Sequence, residues 1–156
     1  MVSGFDVTQM ARADFPLPLL KTEIDRWSEE IQRGRGFLVV RGLPVARYND
    51  IQVRVIFWGI GLYMGSALSQ NSYGELLGDV YDEGVKMGTG KVRGYRTNSF
   101  LMFHSDRADV VGLLCLNKAK EGGFVATWVM KAAFEVFVGL PFRTGSGCDS
   151  RIFWSH

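Results

Sequence analysis

The chain has 156 residues, of which 47% are hydrophobic and 22% are charged, and its formal net charge is +2. That length fits one domain with a buried core, and the charge is too small to indicate a nucleic acid or an anionic membrane as partner. No apolar run approaches the ~20 residues of a membrane span, and no secretory signal is visible. The two cysteines do not make a disulfide framework, and Cys115 is expected to be a buried, reduced thiol. A cytoplasmic location is therefore the expectation.

Two amphipathic segments predict helices in the N-terminal half. In the first, apolar residues recur at steps of four, three and four and form one stripe, after which Gly34 and Gly36 are expected to end the helix. The second helix is expected to run from residue 51 to about residue 64, with Asn49 or Asp50 as its N-cap. The stripe of the first helix consists of Leu20, Ile24, Trp27 and Ile31.

Strands are predicted from continuous apolar runs. Phe37–Val40 is short and rich in branched residues, which is typical of a strand buried on both faces. Residues 69–98 are rich in Gly, Asn, Asp and Ser and predict short strands joined by long loops, where ligand contacts often lie. Further strands are expected at 100–103, 109–116 and 124–130, whereas the apolar residues beyond 130 follow no clear period.

Two glycine clusters do not satisfy nucleotide-binding patterns. Residues 59–65 have one residue too many for G-x-G-x-x-G and lie in a helical pattern, and residues 88–92 lack the first glycine and the hydroxyl residue of a phosphate-binding loop. A catalytic pair of Cys115 with a histidine has no local signature. Phosphate-loop and thiol chemistry are therefore not indicated.

The segment His104-Ser105-Asp106 carries the strongest chemical pattern. Side chains alternate between the two faces of an extended backbone, so the imidazole of His104 and the carboxylate of Asp106 point the same way. Two histidines and one carboxylate on one face of an octahedron form the non-haem Fe(II) oxygenase site, which leaves three positions open. A His-x-Asp tripeptide also arises often by chance, in a surface turn with a solvated aspartate.

The surrounding sequence resembles the taurine dioxygenase-like (TauD/TfdA) family over about residues 14–124. The matching segments occur in the family's order, which makes the resemblance far more specific than one tripeptide. They are Gly34–Pro44, Trp58–Gly61, Gly65, Gln70-Asn71, Gly74–Leu77, Arg93–Asn98, Phe103–Asp106, Asp109–Leu116 and Gly122-Gly123.

The resemblance implies an α+β fold built on a partial double-stranded β-helix (a jelly roll of the clavaminate synthase-like type) with flanking helices. It implies Fe(II) and 2-oxoglutarate as cofactors, with His104 and Asp106 as iron ligands, and oxidative decarboxylation of 2-oxoglutarate coupled to hydroxylation of a small organic substrate by O2. Residues 70–82, together with Tyr95 and Asn98, occupy places where the family approaches substrate and cofactor. Backbone capping and core packing are the alternative roles of Tyr95 and Asn98.

The sequence departs from the family pattern after Gly123. Val125 stands where the family often has a hydroxyl residue that bonds 2-oxoglutarate, and Thr127 would share its face in a strand. The family's third ligand, a histidine, and an arginine for the distal carboxylate of 2-oxoglutarate are not visible, and the only other histidine is His156. We therefore expect a single, truncated domain with a divergent tail at 125–156. The alternative function is an inactive family member that acts as a binding or interaction module and self-associates through unpaired strand edges.

Overall fold

The computed structural model describes residues 5–81 and 108–117 in full and the backbone of two further strands at 134–138 and 151–155. Its helices are α1 (Lys21–Gln32) and α2 (Asp50–Met64), with short 3-10 turns at Val7–Gln9, Arg12–Asp14 and Val45–Arg47. Its strands are β1 (Phe37–Val40), β2 (Ser66–Ala67), β3 (Val110–Leu114), β4 (Phe134–Val138) and β5 (Arg151–Ser155).

Helix α1 forms where the apolar stripe predicts it. Ile24, Trp27 and Ile31 are buried, whereas Leu20 lies at the N-cap and stays 41% exposed. Two glycines follow the C-terminal end of the helix. The Gly34 amide donates to the carbonyls of Glu29 and Glu30, and Gly36 adopts a positive φ of 81°. The predicted helix and its glycine-rich end are therefore confirmed.

Helix α2 is also confirmed, with Asn49 as its N-cap. The Asn49 side chain accepts a hydrogen bond from the Gln52 amide at 2.9 Å, and the Gln52 side chain accepts one from the Asn49 amide at 3.0 Å. This reciprocal capping box satisfies two backbone donors that helix geometry leaves unpaired. Gly59 and Gly61 are buried inside the helix, as expected from their helical context.

The strands form one mixed sheet in the order β1-β4-β3-β5-β2. Strands β1 and β3 each pair in parallel with β4, and β5 runs antiparallel to β3 and β2. In the register of the sheet, Gly112 in the middle of β3 lies opposite Val136 of β4 and Ile152 of β5. Among the described strands, β3 is therefore hydrogen-bonded on both sides and β1 only on one.

The hydrophobic core lies between the two helices and β3. Val110 and Leu114, on one face of β3, pack in a single buried cluster with residues of both helices. Val111 and Leu113, on the other face, are also buried, at 4% exposure each. The helix residues of the cluster are Ile24, Trp27, Ile31, Val53, Phe57 and Met64.

Two expectations about burial are wrong. Phe37 and Val39 of β1 are 42% and 47% exposed, because β1 is an edge strand of the described sheet and one of its faces is uncovered. The thiol of Cys115 is free but only half-buried, because Cys115 comes directly after the last residue of β3 and lies beyond the covered part of the strand.

The α+β class is confirmed, since helices and strands combine in one structure. The partial double-stranded β-helix stays a prediction, because the described strands form an open sheet with parallel pairs. The strand expected at 109–116 is present as β3, whereas those expected at 100–103 and 124–130 lie outside the described residues. Strands β4 and β5 were not anticipated.

Candidate functional site

The five residues predicted to bind iron, cofactor or substrate lie outside the described residues; they are His104, Asp106, Tyr95, Asn98 and Thr127. Over the ranges that the structure describes, no group of three or more His, Cys, Asp or Glu side chains could hold a metal ion. The assignment of His104 and Asp106 as iron ligands therefore stays a prediction that rests on the family resemblance, and their donor types agree with it, since imidazole and carboxylate are the ligands of the non-haem Fe(II) site.

A buried strand lies immediately downstream of the His-x-Asp motif. Strand β3 begins at Val110, four positions after Asp106. It pairs with β4 on one side and β5 on the other, and its first and last residues are 1% and 2% exposed. A central strand buried on both faces is a rigid support for neighbouring ligand residues. The chain is therefore fixed within a few residues of the motif.

The start of the loop-rich stretch is a compact turn around Asn71. Its side-chain oxygen accepts from the amides of Tyr73 at 2.9 Å and Glu75 at 3.3 Å, and its side-chain nitrogen donates to the Glu75 carboxylate. Gly74 has a φ of 82°, which favours glycine at this corner. The stretch therefore begins with a defined turn.

Gln70, at the base of this turn, is the buried polar residue of the described structure, at 3% exposure. Its side-chain nitrogen donates to the Leu68 carbonyl at 2.7 Å, and its amide donates to the Glu75 carbonyl at 2.6 Å. These local bonds fix the backbone and the side chain of Gln70 at the base of the turn.

A cleft of about 310 Å³ opens between α2, residues 77–81 and the chain just after β3. This volume is at the lower end of small-molecule sites. Its lining combines apolar side chains from α2, from residues 77–81 and from β3 with several polar groups; it includes Val53, Arg54, Phe57, Leu77, Asp79, Tyr81, Leu114 and Asn117. The cleft adjoins the C-terminal end of β3, whereas His104 and Asp106 come before the first residue of β3 in the sequence.

An ion pair crosses the cleft. The guanidinium of Arg54, on α2, donates to the carboxylate of Asp79, and the two side chains are 41% and 48% exposed. Sequence reasoning missed this pair, because Arg54 fits an ordinary polar position of an amphipathic helix and Asp79 fits a loop. A long-range pairing of this kind leaves no local signal in the sequence.

Comparison with known proteins decides the ancestry of the chain. Residues 3–126 match the family described as "Taurine catabolism dioxygenase TauD, TfdA family". The chain belongs to this family. The match spans both helices, β1 to β3 and the His104-Ser105-Asp106 motif, so the resemblance seen in the ordered segments is confirmed.

Two curated relatives are similar over the same part of this TauD/TfdA chain. The FR-33289 synthase of Streptomyces rubellomurinus is 32% identical over 121 residues, which cover 77% of the chain and 36% of that protein. A taurine hydroxylase-like protein of Stachybotrys chartarum is 31% identical over 128 residues, covering 78% of the chain and 33% of that protein. The chain thus aligns with about a third of the length of these relatives. No solved structure matches it.

Membership of this dioxygenase family supports an oxygenase-type, oxidoreductase function. The family is generally dependent on Fe(II) and 2-oxoglutarate, and its reactions take O2 and a small organic molecule. In the part of the chain that the structure describes, no helix is long and apolar enough to cross a membrane.

Proposed function

We propose that the chain carries the first two iron ligands of an Fe(II)/2-oxoglutarate-dependent dioxygenase that hydroxylates a small organic substrate. The observation that carries this proposal is the family match over residues 3–126, which includes His104 and Asp106 in the order expected for the metal motif. When bound, iron and 2-oxoglutarate would supply the oxidising chemistry, with O2 as co-substrate.

The roles proposed for the chain's own residues follow from the family resemblance and agree with their chemistry. The neutral imidazole of His104 and the carboxylate of Asp106 would hold the metal, and burial of β3 would keep the backbone after them in place. Tyr95, Asn98 and Thr127 are proposed as cofactor or substrate contacts. A cytoplasmic location is part of the proposal, because a reducing compartment is compatible with the free Cys115 thiol.

Metal binding gives a test that does not require turnover. Under anaerobic conditions, Fe(II) and 2-oxoglutarate are added to the chain, and a weak metal-to-ligand charge-transfer absorbance is measured, followed by succinate after O2 is admitted. His104→Ala and Asp106→Ala should abolish both signals, because each removes one of the proposed ligands.

Asp25→Asn is the control, since Asp25 lies on the exposed surface of α1 and pairs only with Lys21 at 2.6 Å. It should leave the absorbance unchanged. If the parent shows no absorbance and no succinate, and His104→Ala is indistinguishable from it, the catalytic proposal is lost for this chain.

The second candidate is an inactive family member that serves as a binding or interaction module. One observation favours it: β1 is an edge of the described sheet, and its side chains Phe37 and Val39 are exposed. Unpaired strand edges invite pairing with another chain. Light scattering over a range of concentrations tests it: a mass that rises with concentration in the parent and stays monomeric in Val39→Lys supports self-association through β1, and a monomer throughout contradicts it.

A further inference from the structure

The Arg54–Asp79 ion pair differs from the other ion pairs of the described residues. Its partners are 25 positions apart and join α2 to an irregular segment, whereas the other four pairs join residues three to five positions apart on α1 and at its exit. Pairs within a helix turn fix only local geometry. The Arg54–Asp79 pair instead fixes one part of the chain against another.

The segment that this pair holds, residues 76–81, forms no helix and no multi-residue strand. Gly78 forms an isolated β-bridge, and the Asn71 turn ends before the segment at Glu75. Leu77 packs against the buried core, and Asp79 bonds Arg54. The segment is therefore attached by apolar side chains, by the single β-bridge of Gly78 and by the ion pair of Asp79, without a continuous ladder of backbone hydrogen bonds.

Behind this segment lies an apolar wall. Val53 and Phe57 of α2 and Leu114 of β3 line the cleft and are between 2% and 6% exposed. Leu77 and Val80 line it from the segment. If the segment moved away from α2, it would uncover apolar surface that the ion pair now keeps closed.

We propose that Arg54 and Asp79 form an electrostatic latch that holds residues 76–81 over the apolar wall of the cleft, and that the segment opens when the latch is weakened. A half-exposed ion pair in solvent contributes little free energy, so the open state is within reach of thermal fluctuation. Direct attraction between exposed charges is also screened by salt. The latch stands on this geometry alone and does not depend on the iron-dependent reaction.

Hydrogen exchange of the backbone amides of residues 76–81 tests the latch directly. Arg54→Met keeps an apolar stem against the cleft and removes the charge, and Asp79→Asn keeps the shape and removes the charge. Each should speed exchange in this segment by roughly two- to five-fold, the range expected for a surface ion pair. Exchange in α1 should not change. The double variant Arg54→Asp with Asp79→Arg should return exchange toward the parent rate, because the pair is restored with its charges reversed.

Asp25→Asn is the matched control, since it breaks the Lys21–Asp25 pair on α1 and should leave residues 76–81 unaffected. A second measurement uses only the parent, so it does not depend on whether the variants fold. In 1 M salt the Debye length is about 3 Å, and hydrogen exchange of residues 76–81 in the parent should then approach the rate of the single variants. Equal exchange in the parent and both single variants at low salt would overturn the latch. So would a charge-swapped double variant that exchanges as fast as the single variants.

Discussion

Surface hydrogen bonds lower the pKa of three carboxylates in the N-terminal half of the chain. The side-chain hydroxyl and then the amide of Thr8 lower the pKa of Asp6, and the Arg26 side chain lowers the pKa of Glu23. At the exit of α1, the Arg35 side chain and then its amide lower the pKa of Glu30. Because solvent screens these groups, their effect is to order local geometry more than to add global stability.

The ion pair between Glu30 and Arg35 leads to a prediction about the pKa of Glu30. Arg35→Ala removes the guanidinium that donates to the Glu30 carboxylate at 2.6 Å, so the pKa of Glu30 should rise toward its ordinary value. A lowered folded-state pKa stabilises the fold above the ordinary pKa, and this contribution is lost as the pH falls through the lowered value. NMR titration of Glu30 measures the shift. Arg33→Ala is the control and should leave the pKa of Glu30 unchanged, because Arg33 pairs with Glu29.

At the scale of elements, α2 organises the N-terminal segment as well as the core. The indole of Trp58 donates to the Met10 carbonyl at 3.1 Å, and the Tyr63 hydroxyl donates to the Phe15 carbonyl at 3.0 Å. Arg12 donates from two nitrogens to the Leu62 carbonyl and lies 4.9 Å from the centre of the Tyr63 ring. Residues 10–17 are therefore held along one side of α2 by several independent contacts.

Gly59 permits this close approach, which gives the prediction at the element scale. A Cβ at position 59 would overlap the ring of Phe15. Alanine favours a helix over glycine by up to ~1 kcal/mol, but forced overlap costs about 1–3 kcal/mol. We expect Gly59→Ala to lower the free energy of unfolding by about 1–2 kcal/mol, measured by urea denaturation monitored through tryptophan fluorescence. In a Phe15→Ala background the same change should be neutral or stabilising; an equal loss in both backgrounds would contradict the steric explanation.

At the scale of the whole molecule, stability rests on the contact between both helices and β3. Ile31 of α1 and Val110 of β3 are 1% exposed and belong to the same cluster as Phe57 of α2. The capping box of α2 and the glycine exit of α1 set where each helix begins or ends. Because one buried cluster joins both helices to β3, a substitution that disrupts this cluster should destabilise the whole described fold.

Leu114 and Leu19 provide the matched pair for this prediction. Leu114→Ala, at a position 2% exposed, should lower the free energy of unfolding by about 2–5 kcal/mol because it leaves a cavity between α2 and the sheet. Leu19→Ala removes the same atoms at a position 96% exposed and should change the free energy by less than about 0.5 kcal/mol. Thermal or chemical denaturation measures both. Similar losses in the two variants would show that Leu114 does not lie in the core.

Sequence alone determined the features that depend on neighbours a few residues away. The helical stripe of Ile24, Trp27 and Ile31, the Asn49 cap and the central strand at Val110–Leu114 are all local patterns, and each is present in the structure. The ordered family segments likewise identified the TauD/TfdA membership. The candidate iron ligands also came from the sequence, on the chemistry of His104 and Asp106.

Which parts of the chain meet cannot be derived from local sequence patterns and follows from the folded structure. Strands β4 and β5 have no clear local period, yet β3 pairs with both, because a strand needs hydrogen-bonding partners that the sequence does not bring close by itself. The edge position that leaves Phe37 exposed, and the pairing of Arg54 with Asp79, are decided in the same way. Periodicity determines what a segment can form, whereas long-range pairing determines what it packs against.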